Sequence, residues 1–269
     1  MPSIALRVLS MFSLALLLAP TAIAAATAYG RLMLQFPNFW PDGPQQQSTL
    51  AVGNEDVKVP VTLGVMSRCP DALICEATFD KVVPQVADKI DLSLEFIGKI
   101  NDSEPDFGVT CLHGPGECAG NVQELCAAKY LDVQQWWPYL KCQNFNGRNK
   151  VGEPDIALKC ADTAKFDWLG SGVGLCAGED GSGKGAEGVQ LLKDSVRRTE
   201  ELGIEYVFPT SIRRDDINVV DINRKSCTVL INNKPVCIHD GAWKECEDGH
   251  APEDFIRQIN AEYEKLNMV

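Results

Sequence analysis

The sequence has no cysteine before residue 69, no second apolar run of membrane-spanning length after the one near its start, and no internal repeat. It is also short of positive charge, with 25 Lys and Arg against 37 Asp and Glu for a formal net charge of -12. That deficit argues against nucleic acid and against anionic membrane as partners. The missing repeat excludes solenoid and propeller architectures. Because all eleven cysteines follow residue 68, any disulfide framework belongs to the later part of the chain.

Near the start, Arg7 precedes the apolar run from Val8 to Ala19, and Ala22-Ile23-Ala24 offers a small-x-small cleavage site. Residues 1–24 therefore read as a signal peptide. The alternative is an uncleaved anchor, but Pro20 and Thr21 break the run short of the roughly 20 residues that a spanning helix needs. Removing Arg7 with the signal takes the charge from -12 to -13, an acidity that suits a soluble secreted or vacuolar protein. In such a compartment disulfides persist, and an odd number of cysteines leaves at least one thiol without an intramolecular partner. About 245 residues follow the signal, enough for a real core, so disulfides are not substituting for a missing one. Asn101-Asp102-Ser103 is the one glycosylation sequon, and Asn101 is expected to carry a glycan.

Residues 25–55 hold Pro, Gln and Gly without period and read as an arm or linker to a domain over 56–269. Within that domain, Lys58–Met66 is a β-branched run of strand length, Ala72–Ala87 has helical spacing broken by Pro84, and Ile90–Ile100 alternates like a second strand. This order predicts a βαβ unit with parallel strands. From about 116 to 202 the pattern turns helical, over Asn121–Trp137, Ala157–Leu169 and Gly188–Glu201. Strand character returns at Ser226–Ile231, turns at Asn232–Pro235 and resumes at Val236–Ile238 as a hairpin. A last helix follows over Pro252–Leu266 with Pro252 in its first position. The expected class is α/β: a thioredoxin-like fold with a helical, disulfide-rich insertion.

Cys69 falls between the first strand and the first helix, where unpaired backbone N–H groups and the helix dipole favour thiolate. It is the best nucleophile candidate for disulfide exchange, although a structural cysteine at a strand end fits the same place. The stretch Cys111-Leu112-His113-Gly114-Pro115-Gly116-Glu117-Cys118-Ala119-Gly120-Asn121-Val122-Gln123-Glu124-Leu125-Cys126 has the form C-x-H-G-x2-E-C-x2-N-x4-C. It resembles the signature of the gamma-interferon-inducible lysosomal thiol reductase (GILT) family, matching at Cys111, His113, Gly114, Glu117, Cys118, Asn121 and Cys126. One His beside three Cys at these spacings does not follow a zinc-finger pattern, so no metal is expected. The Leu175–Thr199 segment and the Ile231–Pro235 turn also look like family segments, and the resemblance runs from about Val57 to Pro235. It implies a thioredoxin-like thiol reductase that opens protein disulfides at acidic pH, with disulfide-containing proteins as partners, a small thiol reductant also possible, and no cofactor. The Gly178–Gly185 match to a nucleotide-binding P-loop lacks the Ser or Thr for magnesium and a preceding strand. A Gly-rich loop between helices explains it better.

The chain departs from the family at one place. The family's active site is a Cys-x-x-Cys pair, but Ala72 occupies the second cysteine's position and the next cysteine is Cys75. Six residues of regular helix mean a rise of roughly 9 Å and a rotation of about 240°, whereas bridged cysteines need Cα atoms within about 7 Å. A Cys69–Cys75 bridge therefore requires a turn around Asp71 that stays non-helical. Aligned on its Asn-Asn-Lys-Pro turn, the resemblance puts Cys227 where these folds carry the cis-proline facing the catalytic cysteine. Tyr206-Val207-Phe208-Pro209 offers a competing match to the cis-proline segment. The other cysteines are expected to staple the insertion or, for Cys237 and Cys246, to close a short loop. His113 would either protonate a leaving thiolate or hold the turn by hydrogen bonds. The expected function is reduction of protein disulfides in a secretory, vacuolar or lysosomal lumen, with Cys69 as nucleophile and Cys75 or Cys227 as resolving thiol. The alternative is a catalytically inactive binding or structural protein on the same scaffold.

Overall fold

The computed structural model describes residues 56–204 and 226–268. Residues 1–24, read as a signal peptide, residues 25–55, read as an arm, and the Tyr206–Pro209 segment lie outside the described residues.

In the first strand, β1 (Val59–Val65), the buried Val59, Val61, Leu63 and Val65 alternate with Pro60, Thr62 and Gly64. Helix α1 (Pro70–Val86) follows with Cys69 as its N-cap and Pro70 in its first turn, where a missing N–H costs nothing. Pro84 lies within α1, two residues before its end. The crossover delivers β2 (Ile90–Phe96) parallel to β1, with Val59 opposite Ile90 and Val65 opposite Phe96. A small hairpin, β3 (Lys99–Ile100) with β4 (Val109–Thr110), then leads into the helical region.

That region comprises α2 (Pro115–Tyr130), α3 (Val133–Phe145), a single 3-10 turn at Arg148–Lys150, α4 (Pro154–Ala164), α5 (Val173–Ala177) and α6 (Ala186–Glu201). The stretch Asn121–Trp137 is not one helix as its pattern suggests. Asp132 accepts from the backbone N–H groups of Gln134 and Gln135 and starts a new helix there. The Gly178–Gly185 stretch connects α5 to α6. Its glycines pack where side chains would collide with the Ala119 backbone and the Cys176 carbonyl, which explains their number without a phosphate.

The chain returns to the sheet through β5 (Thr228–Ile231), antiparallel to β1, then β6 (Lys234–His239) and β7 (Trp243–Lys244). Asn232 and Asn233, both at positive φ, form the β5–β6 turn. The strand order is β2-β1-β5-β6-β7, and α7 (Pro252–Asn267) closes the domain against α1, with Phe79 and Phe255 rings 5.1 Å apart. Ser195 and Arg198 of α6 hydrogen-bond Glu95 of β2, placing α6 over the face that bears Gly64 and Glu95. Alternation puts the buried Val61, Leu63, Leu92 and Leu94 on the opposite face, the one left for α1 and α7. A βαβ unit, a helical insertion, an antiparallel hairpin and a final helix make this a thioredoxin-like fold.

Five disulfides hold it. Cys111–Cys118, Cys126–Cys176 and Cys142–Cys160 lie in or beside the helical insertion, and Cys237–Cys246 closes the loop after β6. The fifth, Cys75–Cys227, joins α1 to the start of β5 with Cα atoms 6.1 Å apart. Cys69 is the remaining free thiol.

Candidate active site

Cys69 sits where β1 hands over to α1, and its backbone N–H closes a turn onto the Met66 carbonyl at 2.8 Å. The turn is held from two sides. From the sheet, Ser226 Oγ accepts from the Met66 N–H at 3.1 Å, and the Ser226 carbonyl accepts from Cys69 Sγ at 3.8 Å. The peptide joining Ser226 to Cys227 is cis. From the insertion, Asn121 Oδ1 accepts from the Ser67 N–H at 3.2 Å, and Glu117 Oε2 from the Arg68 N–H at 3.3 Å. Ser67 Oγ donates to the Glu117 carbonyl, and Arg68 reaches the Val151 carbonyl through Nε and a terminal nitrogen.

These contacts give the sixteen-residue motif a physical meaning. Glu117 and Asn121 are one turn apart on α2, so both point to the same side and meet consecutive amides ahead of Cys69. The Cys111–Cys118 bridge fixes the entry into α2. Gly114, at φ 85, occupies a conformation that a side chain would disfavour. His113 binds Glu117 twice, through its backbone N–H and through Nδ1 at 2.5 Å from Oε2. Cys126 ties the far end of α2 to α5. Glu117 and Asn121 are fully buried, and these hydrogen bonds offset the cost of taking their polar atoms out of water.

Cys69 is 6% exposed. Burial pushes its thiol up from the ordinary value, against the Ser226 contact and the N–H groups of Ala72 and Asp71, and the Asp71 charge adds to the rise. The thiolate expected from the helix end is thus outweighed by desolvation. Cys75 is wholly buried in α1. Since α1 is helical from Pro70 onward, the non-helical turn that a Cys69–Cys75 bridge needs is absent, and Cys75 pairs with Cys227 instead. All three sulfur residues named from sequence meet at this junction, with Cys69 one residue from the bridge through Ser226.

Sequence reasoning missed Ser226, Arg68, Asp71 and His239. Asp71 Oδ1 accepts from the Gly241 N–H at 2.8 Å and lies 2.8 Å from His239 Nδ1. His239 in turn exchanges both backbone hydrogen bonds with Cys227, at 3.0 and 2.8 Å. Only the odd acid inside a cysteine turn hinted at this.

Behind the turn lies a second unforeseen feature. Glu76, 2% exposed and next in sequence to Cys75, has one oxygen on Asn144 Nδ2 at 2.6 Å and the other without a partner among the described residues. Glu124 of α2 is 1% exposed, and neither of its oxygens has a partner among the described residues. Burial pushes Glu76 up to about 8, opposed by Asn144 and aided by the Asp80 charge. It pushes Glu124 well above the carboxylate range, with the Glu76 and Glu117 charges adding to the effect. In the folded protein burial thus favours the neutral acid form of both side chains.

Asn101 directly follows β3, and its Nδ2 donates to Thr110 Oγ1 at 2.9 Å. Among the described residues no group of His, Cys, Asp and Glu has the arrangement of a metal site, and no helix is long and apolar enough to cross a membrane.

Residues 60–164 match the family model of gamma interferon inducible lysosomal thiol reductase (GILT). Over these residues the chain is similar to the GILT family. The match begins in β1, takes in Cys69 and the whole GILT signature, and ends in α4. GILT-like protein 1 of Drosophila melanogaster is 31% identical over 93 residues, which are 32% of this chain and 36% of that protein. The chain thus matches about a third of that GILT relative's length. Similar solved structures include the MdbA protein, a thiol-disulfide oxidoreductase from Corynebacterium diphtheriae, at 14% identity and TM-score 0.47, covering 78% of this chain and 86% of that one. Another is the oxidoreductase NmDsbA1 from N. meningitidis, at 12% identity and TM-score 0.41, covering 83% and 86%. The thioredoxin-like assignment rests on the strand order and the helical crossover themselves.

Proposed function

We propose that this chain is a thiol-disulfide oxidoreductase that reduces disulfides of protein substrates in a secretory, vacuolar or lysosomal lumen, with Cys69 as the exchanging thiol. The observation that carries this reading is the free thiol at the strand-to-helix turn, gripped by Glu117 and Asn121 of the GILT signature on one side and by Ser226 on the other. Ionised Cys69 attacks one sulfur of the substrate disulfide, forming a mixed disulfide and releasing the other sulfur as a thiolate that takes up a proton. A second thiol then attacks Cys69 Sγ in the mixed disulfide, bonds to it and expels the substrate thiolate, which takes up a proton, and a further thiol exchange on that new disulfide restores Cys69. With Cys75–Cys227 closed, a small-molecule thiol must supply that attack. Once a small thiol has opened the bridge, Cys227, neighbour of the Ser226 carbonyl that Cys69 contacts, is the better-placed internal thiol, with Cys75 behind it in α1. The signal peptide reading of residues 1–24 and the sequon at Asn101 support export and a glycoprotein.

Burial of Cys69 and the absence of a thiol at Ala72 favour a second reading, in which the scaffold is kept as a disulfide-stabilised binding or structural protein. Insulin reduction with a small thiol at pH 5 and pH 7, comparing wild type with Cys69→Ser, separates the two. Loss of turnover in the variant supports the reductase, and turnover that survives undiminished removes Cys69 from the chemistry. A wild type that never turns over, with Cys69 unreactive until denaturation, supports the scaffold reading.

A further inference from the structure

Asp71 stands two residues after Cys69 in the first turn of α1, the positive end of a helix, yet its carboxylate is bound to another element. Oδ1 meets the His239 ring at 2.8 Å and accepts from the Gly241 N–H at the same distance. His239 is 5% exposed, and its ring lies edge-on against Trp243 with centroids 4.9 Å apart, so the donor's position is fixed by packing. Its backbone completes the latch through both hydrogen bonds to Cys227. A single carboxylate oxygen therefore joins the residue two places after the free thiol to the strand that pairs with Cys227, across 168 residues of sequence.

We propose that Asp71 and His239 are positioning residues for exchange at Cys69: the anchored carboxylate holds the first turn of α1 against the Cys227 hairpin and keeps an acidic group in the helical turn that Cys69 caps. The inference rests on the reading of Cys69 as the exchanging thiol, and it assigns control of that thiol's reactivity to the hairpin. After burial, the Asp71 charge is what further disfavours thiolate at Cys69. It therefore restrains the thiol in the resting protein. Other charged groups around the pair are the Asp240–Lys244 ion pair on the hairpin, His250 stacked on Trp243, and, on the insertion side of the turn, Arg68, Glu117 and His113.

The test is the rate of alkylation of Cys69 by iodoacetamide between pH 5 and pH 10, mapped by mass spectrometry on the full chain with its five bridges intact. Asp71→Asn is expected to move the midpoint of the profile to lower pH and to raise the rate at pH 7 above that of wild type. Asp71→Glu, which keeps the charge, is expected to return the midpoint towards wild type. His239→Phe removes the ring donor and leaves Asp71 charged, so it is expected to raise the rate at every pH by loosening the turn. Asp71→Ser repeats the charge removal, so a folding failure of one variant leaves the question answerable. A midpoint unmoved in both charge-removing variants overturns the proposal, as does an Asp71→Glu profile displaced as far as that of Asp71→Asn. Alkylation is read without turnover, so a chain inactive as a reductase still answers the question.

Discussion

Glu117 accepts a hydrogen bond from the backbone N–H of Arg68, the residue immediately before Cys69, at 3.3 Å. One turn further along α2, Asn121 does the same for Ser67 at 3.2 Å. The GILT signature is thus a clamp on the reactive turn as much as a disulfide framework.

Breaking the clamp leaves buried amides without acceptors. Asn121→Ala is expected to cost about 1–3 kcal/mol, and the unfolding midpoint to fall by roughly 2–4 °C for each kcal/mol. The freed turn is also expected to expose Cys69, so its alkylation rate should rise together with the loss of stability. Calorimetry and thiol mapping on the same samples check both effects, and a variant with wild-type stability and wild-type Cys69 protection contradicts the clamp.

The buried acids set the pH dependence. Glu76 and Glu124 are both held above the carboxylate range in the folded protein, mainly by burial. The folded state therefore binds more protons than the unfolded state between the ordinary 4.5 and about 8. Their contribution to stability is full below that window and is lost as pH rises through it. The unfolding midpoint is expected to be higher at pH 5 than at pH 8, and Glu124→Gln, which stays neutral, is expected to shrink the difference. A wild-type midpoint that is flat or rises over this range contradicts the assignment.

Within the insertion, Cys126–Cys176 closes the longest loop of the three local bridges, with a separation of 50 residues against 18 for Cys142–Cys160 and 7 for Cys111–Cys118. Loop-closure entropy predicts a loss of about 4 kcal/mol when the first is removed and about 3 for the second. Paired Cys-to-Ala variants measured by urea unfolding should keep that order.

Much of the fold is legible in the sequence because it is local. The β-branched run at Lys58–Met66, the helical spacing after Cys69 and the Asn-rich turn at Asn232–Asn233 each specify their own backbone. Helix boundaries in the insertion are less so, since the break between α2 and α3 depends on one capping side chain, Asp132. At the site, the strand-to-helix placement identifies Cys69 and the motif identifies the residues of α2, but neither shows what they touch. Glu117 finds Arg68, and Asp71 finds His239, only after the sheet has brought distant segments together. The Cys75–Cys227 pairing likewise requires α1 to be laid against β5, over a separation of 152 residues.

The claim that Cys69 is the exchanging thiol is tested most directly by trapping. A Cys75→Ser, Cys227→Ser double variant lacks the internal thiols that would resolve a mixed disulfide. Incubated with a disulfide-bonded protein substrate and no small thiol, it is expected to accumulate a covalent adduct, which peptide mass mapping places at Cys69. The absence of any Cys69 adduct from a folded variant, or an adduct carried by another cysteine, contradicts the account.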